Sequence, residues 1–223
     1  DFFPNFAHGT AGIAWMFATL YKESKVERYL DLAKRAVVYL QSIAVGDESG
    51  TLIPYLDNPK TGPTWDKYYL STCHGPVGTT LVFRMLYELT GEQEYLDWIK
   101  RLARGIIRAG APEKNSWGYW ASNCQCCGAP GVLEHFVSVY ELTGEEEFLE
   151  YAKRTADVLV GDSQLLDGKR RWMSAWNRPT PEVVKSFTGF YVGSAGGSSS
   201  ILKPYSALEN KPFTDIFEYI YFD

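Results

Sequence analysis

The chain has 223 residues, 45% hydrophobic and 15% aromatic, with a formal net charge of −5. That is ample apolar material for a sizeable core, and an acidic balance without a basic cluster argues against a nucleic-acid partner. No apolar run approaches the roughly 20 residues that span a bilayer, so no membrane span is expected and a soluble cytoplasmic location is.

In chain order, the first element opens with the turn Gly9-Thr10-Ala11-Gly12 and a charge-free run, Ile13-Ala14-Trp15-Met16-Phe17-Ala18-Thr19-Leu20, which predicts a buried helix. An amphipathic helix follows, with apolar residues Tyr29, Leu30, Leu32, Ala33, Ala36, Val37 and Leu40 recurring at three and four. The same unit returns at Gly75-Pro76-Val77-Gly78, at Gly128-Ala129-Pro130-Gly131 and at Gly193-Ser194-Ala195-Gly196, with first glycines 53 to 66 positions apart. In the second and third units the first helix ends in Tyr-Glu-Leu-Thr-Gly-Glu (87–92 and 140–145), where glycine stops it. Buried inner helices wrapped by amphipathic outer ones make an all-α fold, an α/α toroid that gathers its inner-helix N-termini at one mouth. The stretches 57–69 and 110–123, rich in Gly, Pro and Trp, read as loops over that mouth, with short hairpins at most.

All four cysteines lie in two of these turns, Cys73 in one and Cys124, Cys126 and Cys127 in the other. Thiolates are the softest protein ligands, and two distant segments meeting at one mouth would bring three or four of them to a single zinc ion. Disulfides are the weaker alternative, because adjacent Cys126 and Cys127 bridge only with strain. Three thiolates, Cys73, Cys126 and Cys127, leave one tetrahedral position open, as a catalytic rather than a structural zinc requires. Cys124 is the alternative to Cys127, and His74 a possible fourth ligand, although a role facing substrate suits it better. His8 holds the place in its turn that His74 and Cys127 hold in theirs. It is the candidate proton donor and acceptor. His135, on an inner helix, reads as a hydrogen-bonded core residue.

These residues carry a resemblance to the lanthionine synthetase C-like family, cyclases that close thioether rings in peptides. Phe6-Ala7-His8-Gly9-Thr10-Ala11-Gly12 resembles the family's A-H-G-x-x-G segment, Cys73-His74-Gly75-Pro76-Val77-Gly78 its W-C-x-G-x-x-G segment, and Cys126-Cys127-Gly128-Ala129-Pro130-Gly131 the C-C-G form of its C-H-G-x-x-G segment. The closing Phe187-Thr188-Gly189-Phe190-Tyr191-Val192-Gly193-Ser194-Ala195-Gly196 is similar to its last helix start. The chain departs from the pattern with Thr72 in place of Trp and with the serine-rich Ser198-Ser199-Ser200. The resemblance implies a seven-hairpin α/α barrel, of which residues 1–223 would be a partial domain with about four hairpins. The missing N-terminal hairpins, and with them a catalytic aspartate, are expected upstream. It also implies zinc on Cys73, Cys126 and Cys127, activation of a cysteine thiol for addition to dehydroalanine or dehydrobutyrine, His8 and His74 in catalytic roles, and a cysteine-containing peptide as partner.

Two other readings fit part of the sequence. One is a non-catalytic zinc module that binds glutathione or a cysteine-bearing peptide. The other is a toroid glycosidase or sugar epimerase, with Trp117-Gly118-Tyr119-Trp120 for stacking and Asp66, Glu134 or Asp162 as carboxylates.

Overall fold

The computed structural model describes residues 2–58, 62–63, 68–114, 122–174 and 182–209. Three helical hairpins follow one another: α1 (Thr10–Ser24) with α2 (Glu27–Ser42), α3 (Pro76–Thr90) with α4 (Gln93–Arg108), and α5 (Ala129–Thr143) with α6 (Glu146–Asp162); α7 (Ser194–Leu208) opens a fourth unit. Among the described residues, three two-stranded ribbons lie in the connections: β1 (Val45–Asp47) with β2 (Gly50–Leu52), β3 (Asp57–Asn58) with β4 (Gly62–Pro63), and β5 (Gln164–Leu166) with β6 (Lys169–Arg171), all antiparallel. The fold is all-α, an arc of α/α hairpins of the toroid kind. Helices α1, α3, α5 and α7 pack side by side as the inner layer, while α2, α4 and α6 each lie on the inner helix of their own hairpin.

The links between paired helices are built alike. At the ends of α1, α3 and α5 a hydroxyl (Ser24, Thr90, Thr143) donates to the carbonyl four residues back and accepts the amide two residues ahead. The next residue turns left-handed, with φ of 58° at Lys25, 70° at Gly91 and 69° at Gly144. Glycine takes that conformation without a Cβ penalty, which is why Thr-Gly-Glu was readable as a helix stop.

The core runs between the layers. Phe83 and Leu86 of α3 meet Ile99, Leu102 and Ile106 of α4, and Phe136 of α5 meets Phe148 and Leu159 of α6, all at most 1% exposed. Burial of each such side chain contributes about 1.5–3 kcal/mol. Phe83 also stacks on Trp98 at 5.6 Å, covering the outer edge of the layer.

One expectation needs correcting. The charge-free first helix was expected to be buried, yet Ile13, Met16 and Leu20 are 55%, 45% and 40% exposed, and α1 buries only Ala11, Ala14 and Ala18. Composition alone cannot show this, because burial of an inner helix requires inner neighbours on both sides. Helices α3 and α5 have them; among the described residues, the one inner-layer neighbour of α1 is α3, and that of α7 is α5. At the other end Leu202, Tyr205 and Leu208 of α7 are exposed in the same way.

Candidate metal centre

The three residues ahead of each inner-helix N-cap form the same turn at 6–8, 72–74, 125–127 and 190–192. The capping glycines are extended, with φ between −147° and −127°, so no special dihedral explains them. Space does. A Cβ on Gly9, Gly75, Gly128 or Gly193 would collide with the carbonyl of Phe3, Tyr69, Ser122 or Phe187, in each case six residues earlier. The second glycines, Gly12, Gly78, Gly131 and Gly196, stand against the carbonyls of Phe6, Thr72, Gln125 and Phe190 with the same offset. G-x-x-G therefore folds the loop back onto its own helix start, and the loop carbonyls accept the free amides there, as from Thr10 to Phe3, Ala129 to Ser122 and Ser194 to Phe187. Among the described residues, closeness to the neighbouring turn is a second demand: Gly78 faces Phe6, Gly131 faces Thr72 and Gly196 faces Gln125.

Successive turns are also bonded to each other. The Ala7 amide donates to the Cys73 carbonyl at 2.9 Å, Thr72 Oγ1 approaches the Gln125 carbonyl at 3.5 Å, and the Cys126 amide donates to the Tyr191 carbonyl at 3.3 Å. Residues far apart in sequence are thereby held at one mouth.

There the sulfurs of Cys73, Cys126 and Cys127 lie within 4.8 Å of one another, the Cys126 and Cys127 sulfurs 3.3 Å apart. Thiolates on one tetrahedral zinc, each at about 2.3 Å, stand ~3.8 Å from each other. The three side chains fit such an ion with small adjustments. Cys124 is fully buried, its sulfur 3.9 Å from that of Cys126 and 3.2 Å from Ser122 Oγ, and it lies outside the group of three. All four thiols are free of disulfides.

The thiols perturb each other strongly. Hydrogen bonds from Cys126 and Cys127 bring Cys73 down to about 3 from its usual 9.0, and the same two donors lower Cys124. Contacts with Cys124 push both Cys126 and Cys127 far up. So many thiols in one place cannot all ionise without a cation to share, and a cation is what the donor set is suited to hold.

Beside the sulfurs lies a cavity of about 650 Å³, whose lining includes Cys73, Cys126 and His8 together with Phe6, Trp15, Met16 and Tyr191. His8 is exposed on this wall. His74 is half-buried in a ring of aromatics, with centroids 5.3 Å from Phe3, 5.1 Å from Tyr55, 5.7 Å from Tyr69 and 5.3 Å from His8. Burial keeps its pKa below the ordinary 6.5, with Cys73 opposing and His8 adding to the shift. The structure thus sets His8 on the open wall and His74 behind it. His135 is buried on α5 as a core residue, but its Nε2 has no hydrogen-bond partner.

Sequence reasoning missed the group that anchors the cysteine loop. Ser200 Oγ of α7 lies 3.0 Å from Gln125 Oε1 and 2.8 Å from Glu134 Oε1, and Glu134 pairs with Lys203 at 2.7 Å. The serine-rich start of α7 was the visible signal, but nothing local points from residue 200 to residue 125. Glu134, considered as a sugar carboxylate, is held inside this pair. Asp162 is exposed at the end of outer helix α6, and Asp66 and Trp117 to Trp120 fall outside the described residues.

Compared with known proteins, residues 2–217 match the family described as lanthionine synthetase C-like protein. The chain belongs to that family. No curated protein matches it significantly. Among solved structures, the lanthionine synthetase C-like chain is similar to the Lin0763 protein of Listeria innocua, with a TM-score of 0.62 and 17% identity over 94% of this chain and 61% of that one. It is also similar to an inactive variant of the α-1,6-mannanase GH76A of Salegentibacter sp. HEL1_6 in complex with α-1,6-mannotriose, with a TM-score of 0.53 and 16% identity over 96% of this chain and 59% of that one. At these identities the likeness is one of fold, and the chain spans about three-fifths of each of those proteins. Among the described residues no helix is long and apolar enough to cross a membrane.

Proposed function

We propose that this lanthionine synthetase C-like chain holds a zinc ion on Cys73, Cys126 and Cys127 and activates a cysteine thiol for addition to a dehydroamino acid in a peptide. The observation that carries the reading is the convergence of three sulfurs within 4.8 Å, beside a cavity that His8 also lines. Bound there, the metal would lower the pKa of a substrate thiol and so favour its ionisation near neutral pH.

The chain's own residues do the rest. Phe6, Trp15, Met16 and Tyr191 line the open cavity and offer an apolar surface on which a peptide bearing the thiol can rest. The addition joins sulfur to the β-carbon of the alkene while the α-carbon gains a proton, so the net change only moves the thiol proton to carbon. His8, reachable from the cavity, takes up and returns that proton. His74 sits behind it and fixes the His8 ring by packing rather than by touching substrate.

The non-catalytic module that binds a peptide or a glutathione-like thiol shares the metal and differs in the outcome. The test is to incubate metal-loaded protein with a thiol and a dehydroalanine peptide, recording metal stoichiometry and thioether product. One zinc per chain with time-dependent thioether supports the cyclase-like reading; zinc and thiol binding without product supports the module. No bound metal sinks both. The toroid carbohydrate enzyme finds less support, since Glu134 is engaged by Lys203 and Ser200.

A further inference from the structure

Behind the three sulfurs, the turn that carries two of them is tied to the far end of the arc by a run of buried side chains, in addition to the main-chain bond from Cys126 to Tyr191. Gln125 stands between Cys124 and Cys126, is 2% exposed, and directs its amide to Ser200 of α7, 75 positions away. Ser200 is fully buried and also within reach of the Gly196 carbonyl at 2.9 Å. Glu134 of α5 and Lys203 of α7 close the chain with an ion pair whose side chains are 8% and 5% exposed.

A buried ion pair is poor evidence of stability by itself, because desolvating two charges offsets most of their attraction. Its location is more telling. The single Ser200 hydroxyl proton faces three acceptors: the Glu134 carboxylate, the Gln125 amide oxygen and the Gly196 carbonyl. The carboxylate is the strongest of them. A half-turn of the Gln125 amide would present its Nε2 to the hydroxyl oxygen and give the chain one direction, from Gln125 through Ser200 to Glu134, with Lys203 balancing the charge. Such a chain of donors ending on a paired carboxylate holds its first member firmly.

Gln125 is also where the other contacts of the loop meet. Its carbonyl faces Thr72 Oγ1, next to Cys73, and Gly196 of α7 packs on its Cβ. The following amide, that of Cys126, donates to Tyr191 ahead of α7. Helix α7 has no thiol of its own, yet it and the turn ahead of it are in contact with the loop that has three.

We propose that Gln125, Ser200, Glu134 and Lys203 form a positioning chain through which α7 fixes Cys126 and Cys127 in the geometry needed for metal binding. The inference rests on the reading of Cys73, Cys126 and Cys127 as metal ligands. It assigns a task to the serine of α7 that the family resemblance leaves unexplained.

The test uses Co²⁺ as the probe on the full chain, stripped of metal and kept reduced. Affinity is measured by competition with a chelator, and the thiolate-to-cobalt charge-transfer and visible d–d bands report ligand number and geometry. Ser200→Ala and Gln125→Ala are each expected to weaken Co²⁺ binding by about tenfold or more and to alter the d–d bands, the size found when partners that orient a ligand are removed. The double variant is expected to be no weaker than the worse single one, since both break one chain. Ser198→Ala, an exposed serine of the same helix, is expected to match the wild type. Wild-type affinity and spectra in both single variants would overturn the proposal, even if their melting temperatures fall. So would additive losses in the double variant. Should Ser200→Ala fail to fold, Gln125→Ala alone decides. A wild-type chain with no thiolate-to-cobalt band would instead refute the metal reading itself.

Discussion

The Ala7 amide donates to the Cys73 carbonyl at 2.9 Å, so one main-chain bond sets the turn bearing His8 against the turn bearing the first thiol. Because that bond involves no side chain, His8 can be replaced without releasing the turn. His8→Asn is expected to retain one metal per chain while slowing thioether formation by about 10²- to 10⁴-fold, the usual worth of a placed acid–base group. Metal analysis and product formation on the same preparation check this. An unchanged rate would remove His8 from the mechanism.

Replacing Cys73, Cys126 or Cys127 by serine takes one thiolate from the group of three, and each substitution is expected to lower zinc affinity by at least tenfold. Cys124→Ser keeps all three and is expected to bind one zinc per chain. Loss of zinc from the Cys124 variant, with retention in the Cys127 variant, would exchange their roles.

The glycines separate two physical demands. Gly128→Ala would drive a Cβ into the Ser122 carbonyl, whereas Gly144→Ala meets no atom within 4 Å and only strains a φ of 69°. The second is expected to lower stability by about 1–2 kcal/mol and leave metal binding intact. The first should cost more than that and disturb the Cys126–Cys127 turn. Denaturant unfolding, followed by zinc titration, measures both.

His135 gives a pH signature. Burial brings it down to about 3 from 6.5, with Arg84 adding to the shift. The unfolded chain takes up a proton at this site below pH 6.5, while the folded chain does so only near 3. The stability it contributes is therefore complete above 6.5 and is lost as the pH falls towards 3, by up to about 1.4 kcal/mol per pH unit. His135→Gln is expected to flatten the fall in stability between pH 6.5 and 4, measured by urea unfolding of the metal-free protein. Parallel curves for variant and wild type would contradict the assignment.

The repeat was legible because its signals are local. Thr90-Gly91 and Thr143-Gly144 end helices through contacts within four residues, and each G-x-x-G acts on a carbonyl six residues back. The cysteines were legible through their chemistry, since soft ligands at equivalent places of a repeat converge if the repeat curves. What could not be read depended on neighbours outside the unit. Ile13 and Met16 look like core residues until the absence of a described inner helix beside α1 is known. Ser200 looks like solvent-facing polarity until it is seen against Gln125, and Glu134 looks like an available carboxylate until Lys203 is placed on it.

The constant six-residue offset between glycine and carbonyl has a consequence for how this mouth can change. Each loop has a fixed length and path, so an insertion or deletion inside it would break the closure, whereas the longer connections outside tolerate ribbons of different size. Variation is left to the two side chains ahead of each capping glycine: Ala7 and His8, Cys73 and His74, Cys126 and Cys127, Tyr191 and Val192. Those eight addresses act like sockets in a common frame, five of them filled here by three thiols and two imidazoles and the other three by Ala7, Tyr191 and Val192. A different chemistry could be installed by exchanging occupants while the backbone that presents them stays as it is.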